Sequence, residues 1–314
     1  MEIKRPKMFV LAQEGKVHKL WQILLTFTIV FTIAGTLKSV PSLLVLLTDN
    51  NMLSGYSLSD IVSISTYFQE KQSYLYSILF GTVFLTIVSV IYCHFIEKRS
   101  LRSMGLCKQH IVRSYLLGLF IGFVMFSMVI IINVITSSMT FEIEKDKFSS
   151  LTWIYIVLFL FGFIIQGASE EIIIRGYLMT SIGANYSIRT SVIISSVFFS
   201  FIHIGNSELA LISIINFTLM GVFLALYIIC FDNIWGACAI HGMWNFIQGS
   251  LYGVNVSGVN IPNSIFNAYS AEEKVYINGG DFGAEGGLAV TIVMLLFLML
   301  LLLYMRKSER VKMD

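Results

Sequence analysis

The chain has 314 residues, of which 56% are apolar and only 13% are charged, and its formal net charge is +2. Soluble proteins carry about a quarter charged residues, so this composition excludes a soluble globular fold. It predicts an all-α polytopic integral membrane protein surrounded by the lipid bilayer, and the scattered basic residues indicate no nucleic-acid partner.

Eight apolar segments are long enough to cross a bilayer, which takes about 20 residues of helix. They are residues 21–46, 74–96, 112–136, 151–169, 190–206, 209–230, 234–252 and 287–305. We therefore predict about eight transmembrane helices in a single membrane domain, 1–314. The first segment is too long for a signal-peptide core and is predicted to be an uncleaved anchor.

The distribution of lysine and arginine predicts the orientation. Placing the N-terminus inside puts most of the 21 basic residues on the cytoplasmic side, as the positive-inside rule requires. Both termini are then predicted to be cytoplasmic. Residues 253–286, rich in glycine and asparagine and acidic on balance, are predicted to form a mobile extracytoplasmic loop. The four cysteines lack the spacing of a disulfide framework and are predicted to be free thiols.

Polar residues interrupt three of the apolar segments, in the groups Glu170-Glu171-Ile172-Ile173-Ile174-Arg175, His203, and His241 with Asn245. Charged groups at membrane depth are costly and usually mark function. Glu171 and Arg175 lie four residues apart, so they are predicted to pair on one helix face and to leave Glu170 free. The alternative is an ordinary ion pair at a helix end.

His203 is predicted to lie beside Glu170. In an antiparallel hairpin, any two residues that lie at the same depth have numbers with the same sum. The numbers of Glu170 and His203 therefore place the turn within Gly183–Ser187, whose residues favour a turn. His241 and Asn245 share one helix face. The alternative for each of these residues is a hydrogen bond within the helix core.

Other small and polar residues in the spans are predicted to be structural. Gln166, Asn133 and Asn216 are expected to hydrogen-bond to neighbouring helices. Gly118 and Gly122 are expected to form a packing face. We assigned no chemistry to these residues.

A carboxylate beside a histidine can take a proton from water, and a second histidine with an amide can hold the oxyanion. These groups predict hydrolysis of an amide bond without a covalent intermediate. A zinc site made by Glu170, His203 and His241 is the alternative chemistry. A transporter or proton relay and a non-catalytic scaffold remain alternative classes. The serines lack a nucleophile-elbow context.

The three motifs, Glu170–Arg175, Phe199–His203 and His241–Asn245, resemble in type and order those of the CAAX-protease and bacteriocin-processing (CPBP or Abi) family of intramembrane proteases. The segment Glu97–Leu106 is similar to the basic stretch that often precedes the family's core. The resemblance covers mainly residues 150–251, which we predict to be the catalytic core.

The resemblance implies an intramembrane endopeptidase that hydrolyses a peptide bond of a membrane-associated or lipidated protein or peptide. It implies that Glu170 is the general base with His203 assisting, that His241 and Asn245 form the oxyanion site, and that Glu171 and Arg175 are a supporting pair. It leaves open both a Zn²⁺-dependent mechanism, with Glu170, His203 and His241 as ligands, and a metal-free one. A bacteriocin-immunity protein or scaffold that retains the fold is the alternative function.

Overall fold

The computed structural model describes residues 2–48, 72–143, 149–206, 210–308 and 311–312. Within these ranges the chain is mostly helical, and six helical segments are long and apolar enough to cross a membrane. They are Leu20–Leu47, Gln72–Ile96, Ile111–Ile135, Ser150–Asn185, Leu211–Phe231 and Leu288–Lys307. Ile188–Phe201 is a shorter apolar helix. The all-α polytopic architecture is therefore confirmed.

The described helices and strands follow in chain order. They are β1 (Glu2–Ile3), α1 (Lys7–Ala12), α2 (Leu20–Leu47), α3 (Gln72–Gly81), α4 (Val83–Ile91), α5 (Ile111–Ile135), β2 (Met139–Glu142), α6 (Ser150–Glu171), α7 (Thr180–Asn185), α8 (Ile188–Phe201), α9 (Leu211–Phe231), α10 (Trp235–Phe246), β3 (Asn267–Ser270), α11 (Val275–Asn278), α12 (Leu288–Lys307) and β4 (Val311–Lys312). π-Helical turns extend α4 over Tyr92–Ile96, α6 over Ile172–Met179 and α10 over Ile247–Leu251. The strands form two antiparallel pairs, β1 with β4 and β2 with β3.

Each of the eight predicted spans contains a described helix, but the fifth helix ends at Phe201 instead of residue 206, and the predicted end of the fourth, residue 169, is wrong. The helix continues through the π turn and α7 to Asn185. Its polar residues are satisfied inside the protein: the buried Arg99 side chain donates to Thr180 Oγ1 at 2.5 Å and to Ser181 Oγ at 2.6 Å. The chain then reverses where predicted. Ser187 Oγ accepts the Thr190 N–H and so caps the start of α8.

Helix α10 packs between α5 and α6 through glycines. A Cβ on Gly118 would overlap the carbonyl oxygen of Gly236, and one on Gly122 would lie 2.6 Å from the Ile240 oxygen. These contacts confirm that Gly118 and Gly122 form a packing face. All four cysteines are free, as predicted.

We expect Gly242→Ala to destabilise the protein, because an added Cβ would lie 2.8 Å from the carbonyl oxygen of Phe163, a backbone atom that cannot swing away. Overpacking of this kind costs about 1–3 kcal/mol. A lower midpoint of thermal unfolding in detergent should show it. Gly35→Ala is the matched control, since its Cβ meets no described atom within 4 Å. Equal midpoints for the two variants would contradict the prediction.

Residues 253–286 do not form the mobile cap expected from their composition. Strand β3 in this segment pairs with β2, and Val254, Val256, Ile261 and Phe282 are buried. The buried Glu285 carboxylate accepts the Ser257 N–H at 2.7 Å and lies 3.3 Å from Gln248 Nε2. Burial also raises the pKa of Glu285. These contacts fix the segment against the end of α10, so that it becomes a wall of the protein interior.

Candidate active site

The Glu171–Arg175 pair lies at the junction of α6 and its π turn. Arg175 Nη1 donates to Glu171 Oε1 at 2.9 Å, and both side chains are fully buried. The guanidinium carbon lies 4.4 Å from the centroid of the Phe199 ring, on the neighbouring helix α8. The pair predicted from the spacing therefore exists, and it lies in the protein interior rather than at an exposed helix end.

The same carboxylate also holds His241. His241 Nδ1 donates to Glu171 Oε1 at 3.0 Å, so one oxygen receives hydrogen bonds from both Arg175 and His241. This contact fixes the orientation of the imidazole, because the tautomer of a histidine is set by the partner of its other nitrogen. His241 Nε2 lies 3.9 Å from Glu170 Oε2.

One carboxylate oxygen of Glu170 accepts a hydrogen bond, and the other has no described donor. Its Oε1 accepts the Gln166 side-chain N–H at 2.7 Å. Its Oε2 is buried and has no hydrogen-bond partner in the part of the chain that the structure describes. Only 8% of the residue is exposed. A buried carboxylate oxygen without a donor is costly unless something else uses it, so Oε2 is the atom in this site that is available for chemistry.

Gln166 connects the two halves of the site. It donates to Glu170, and its own Oε1 accepts the Asn245 side-chain N–H at 2.8 Å. Gln166, which the sequence predicts to be structural, therefore belongs to the site. Its position four residues before Glu170, on the same helix face, was the signal that could have placed it in the site. Asn216 does bond structurally, to the carbonyl oxygens of Glu285 and Gly287.

His203 lies just beyond the end of α8 at Phe201, not inside the helix predicted to run to residue 206. Its Nδ1 donates to the Phe199 carbonyl oxygen at 2.7 Å, and its ring stacks on Phe217 with centroids 4.1 Å apart. Both contacts hold the ring in place, and Nε2 has no hydrogen bond to another residue that the structure describes.

One cavity of about 460 Å³ connects these groups. Glu170, His203, His241 and Asn245 all line it, with Gln166 between them. Most of the other lining residues are apolar and come from α2, α3, α8, α9 and the 253–286 segment, including Phe31, Leu75, Leu79, Phe199, Phe217, Val256 and Ile261. The polar side chains of the site, which come from two helices and one turn, therefore face a common, largely apolar space.

Glu170, His203 and His241 have the chemistry of a two-histidine, one-carboxylate site. Among the described residues, however, no group of three or more His, Cys, Asp or Glu side chains has the arrangement of a metal site.

The fold and the cavity define a multi-pass membrane protein with acid–base groups enclosed among its helices. Residues 152–247 match the family model described as Rce1-like, type II CAAX prenyl endopeptidase Rce1-like. The match covers all three motifs, so this segment of the chain is similar to the CAAX prenyl endopeptidases that the model describes. No curated protein matches the chain.

Proposed function

We propose that the protein hydrolyses a peptide bond of a membrane-associated or lipidated protein or peptide, with water activated by Glu170. The observation that carries this proposal is the gap between Glu170 Oε2 and His241 Nε2. At 3.9 Å it is too long for a direct hydrogen bond, but it suits a water molecule that contacts both atoms. The family match supports an endopeptidase in general.

Glu170 Oε2 takes the proton from this water while the oxygen attacks the carbonyl carbon of the peptide. Glu170 then returns the proton to the amide nitrogen, and the C–N bond breaks to release an amine and a carboxylic acid. Because its Oε1 is held by Gln166, the carboxylate keeps Oε2 directed at the reacting water. The unused Nε2 of His203 assists by holding the water in the cavity.

His241 and Asn245 supply the oxyanion site. His241 Nδ1 already donates to Glu171, so Nε2 donates to the oxyanion when both ring nitrogens are protonated. The Asn245 amide gives one N–H to Gln166 and retains the other. Preorganised donors of this kind contribute about 2.7–4 kcal/mol each to transition-state stabilisation.

Glu171 and Arg175 position the histidine. Neither residue is among those that line the cavity, so they act through His241 and not on the substrate. The largely apolar walls suit apolar peptide residues or a lipid chain near the cleavage position, because burial of apolar surface favours binding.

Cleavage by the purified protein in lipid nanodiscs tests the proposal. The probe is a prenylated CAAX-type peptide, and mass spectrometry of the products identifies the bond that is cut. We expect two product fragments whose masses together equal the mass of the intact peptide plus one water. A peptidomic comparison of membranes containing wild-type or Glu170→Gln protein then identifies natural substrates. Full-length peptide after prolonged incubation, together with unchanged membrane peptides, would contradict the proposal and favour a scaffold or immunity role.

We expect cleavage to survive treatment with 1,10-phenanthroline or EDTA. The physical reason is that Glu170 Oε2 and His241 Nε2, 3.9 Å apart, can hold the reacting water between them without a metal ion. A zinc metalloprotease assayed in the same nanodiscs is the control for effective chelation. Activity that is lost on chelation and restored by added Zn²⁺ would instead assign Glu170, His203 and His241 as ligands.

A further inference from the structure

Glu285 is a buried carboxylate in the 253–286 segment that the proposed reaction does not use. It lines the cavity with the four site residues, and only 6% of the residue is exposed. Its Oε2 accepts the Ser257 N–H at 2.7 Å and the Ser257 hydroxyl at 2.9 Å, and it lies 3.3 Å from Gln248 Nε2. Its Oε1 makes no hydrogen bond to a described residue, so this oxygen is available to a ligand.

The hydrogen-bond donors around this carboxylate are already used. Gln248 Nε2 carries two N–H groups, and it lies 2.6 Å from the Asn255 carbonyl oxygen and 3.3 Å from Glu285 Oε2. Both N–H groups of Asn216 donate to backbone carbonyl oxygens. Ser257 gives its N–H and its hydroxyl to Glu285. The polar atoms that remain at this wall are therefore acceptors, which require a ligand that donates hydrogen bonds.

The charge of Glu285 narrows the ligand further. The three donors at Oε2 favour the ionised form of the carboxyl group. Within the described ranges, no lysine or arginine forms an ion pair with Glu285. A buried charge is costly unless it is paired. An ammonium or guanidinium group supplies both the opposite charge and the hydrogen-bond donors that this wall requires.

The carboxylate lies close to the reacting groups along α10 and its π turn. His241, Asn245 and Gln248 share one face, since they are four and three residues apart. Gln248 therefore lies roughly 4.5 Å beyond Asn245 along the helix axis. His241 also acts electrostatically on Glu285. Because one extended peptide residue spans about 3.3–3.6 Å, Glu285 can contact a residue within about three positions of the bond that is cut.

We propose that Glu285 is a specificity-determining residue that binds the ammonium or guanidinium group of a basic side chain in the peptide substrate. This inference rests on the proposed function and adds a substrate class to it: apolar peptides with a lysine or arginine close to the cleaved bond. The apolar stem of that side chain packs against the cavity walls, which include Val256 and Ile261. Its charged end contacts Oε1, while Ser257 and Gln248 hold Oε2.

Peptides that differ in one side chain test the assignment. N-acetylated forms of the prenylated CAAX-type peptide carry lysine, Nε-acetyl-lysine or methionine at each unprenylated position within about three residues of the cleaved bond. At one position, wild-type protein in nanodiscs is expected to cleave the lysine peptide with a kcat/KM about 10- to 100-fold higher than the other two, the effect of a hydrogen bond to a charged group. Arginine at that position should act like lysine.

Glu285→Gln should remove this preference by slowing cleavage of the lysine peptide, because the amide has no charge to pair with the ammonium group. Glu272→Gln, at an exposed glutamate of the same segment that does not line the cavity, is the matched control and should retain the wild-type preference. The midpoint of thermal unfolding reports whether each variant is folded. If Glu285→Gln is unstable, the wild-type comparison of lysine with acetyl-lysine decides.

The outcomes separate this inference from the proposed function. Glu170-dependent cleavage of all three peptides at equal rates, or an equal loss on the lysine and methionine peptides in Glu285→Gln, would overturn the cation site and leave the protease intact. A gain that instead requires a free peptide amino terminus would overturn the side-chain assignment. If no peptide is cleaved, binding to Glu170→Gln protein decides: a Glu285-dependent preference for the lysine peptide supports the site, and equal or absent binding rejects it.

Discussion

Glu170→Gln is expected to lower kcat by about 10²- to 10⁴-fold, the contribution of a positioned general base. The amide cannot take a proton from water, yet it has nearly the same size and can still pair with Gln166 through its oxygen. Folding should therefore be unaffected, and KM should change little. Measurement of kcat and KM with the peptide used above, on protein of confirmed thermal stability, checks both expectations.

Glu142→Gln is the matched control for this variant. Glu142 lies in β2, is exposed and does not line the cavity, so the same loss of a carboxylate there should leave kcat unchanged. Full activity of Glu170→Gln would rule out the proposed base. A parallel loss of activity in both variants would indicate a general effect of charge.

Among the proposed single variants, Arg175→Met is expected to cause the largest loss of folding stability. It leaves the Glu171 carboxylate, which is fully buried, without its cationic partner, and removal of one member of a buried ion pair costs about 3–5 kcal/mol. The variant should unfold at a much lower temperature in detergent. Arg102→Met, at an exposed arginine, serves as the control and should have the wild-type midpoint.

The double variant Glu171→Leu/Arg175→Met separates stability from positioning. Replacement of both charges by apolar side chains is often neutral for stability, so the midpoint should recover substantially. Activity should stay low, because His241 has then lost the oxygen that holds its Nδ1. Recovery of activity along with stability would show that Glu171 contributes only to the fold.

The sequence was sufficient for the spans and for the relation between α6 and α8. Runs of apolar residues determine which segments lie in a bilayer, and the constant rise of the α-helix allowed the turn at Tyr186 to be inferred from the numbers of Glu170 and His203. The three motifs gave a resemblance to a protease family, and the match to residues 152–247 agrees with it. The catalytic roles of the site residues and the cytoplasmic placement of the termini stay predictions.

Contacts between helices were the part that the sequence did not reveal. Spacing within one helix shows which residues share a face, but it does not show which faces of different helices meet. The Glu171–His241 hydrogen bond and the Gln166 link to Asn245 are both of this kind. The composition of residues 253–286 likewise indicated a solvated loop, because the backbone pairing with β2 and the interior bonds of Glu285 have no local signature.

Val256 and Ile261 of the 253–286 segment face the same space as Glu170, although they lie outside the span of the three motifs. In the proposed reaction, part of the cavity wall is thus encoded apart from the residues that carry the chemistry. Exchange of this stretch between homologous proteins offers a route to altered peptide preference with an unaltered reaction, and it provides an accessible starting point for engineering.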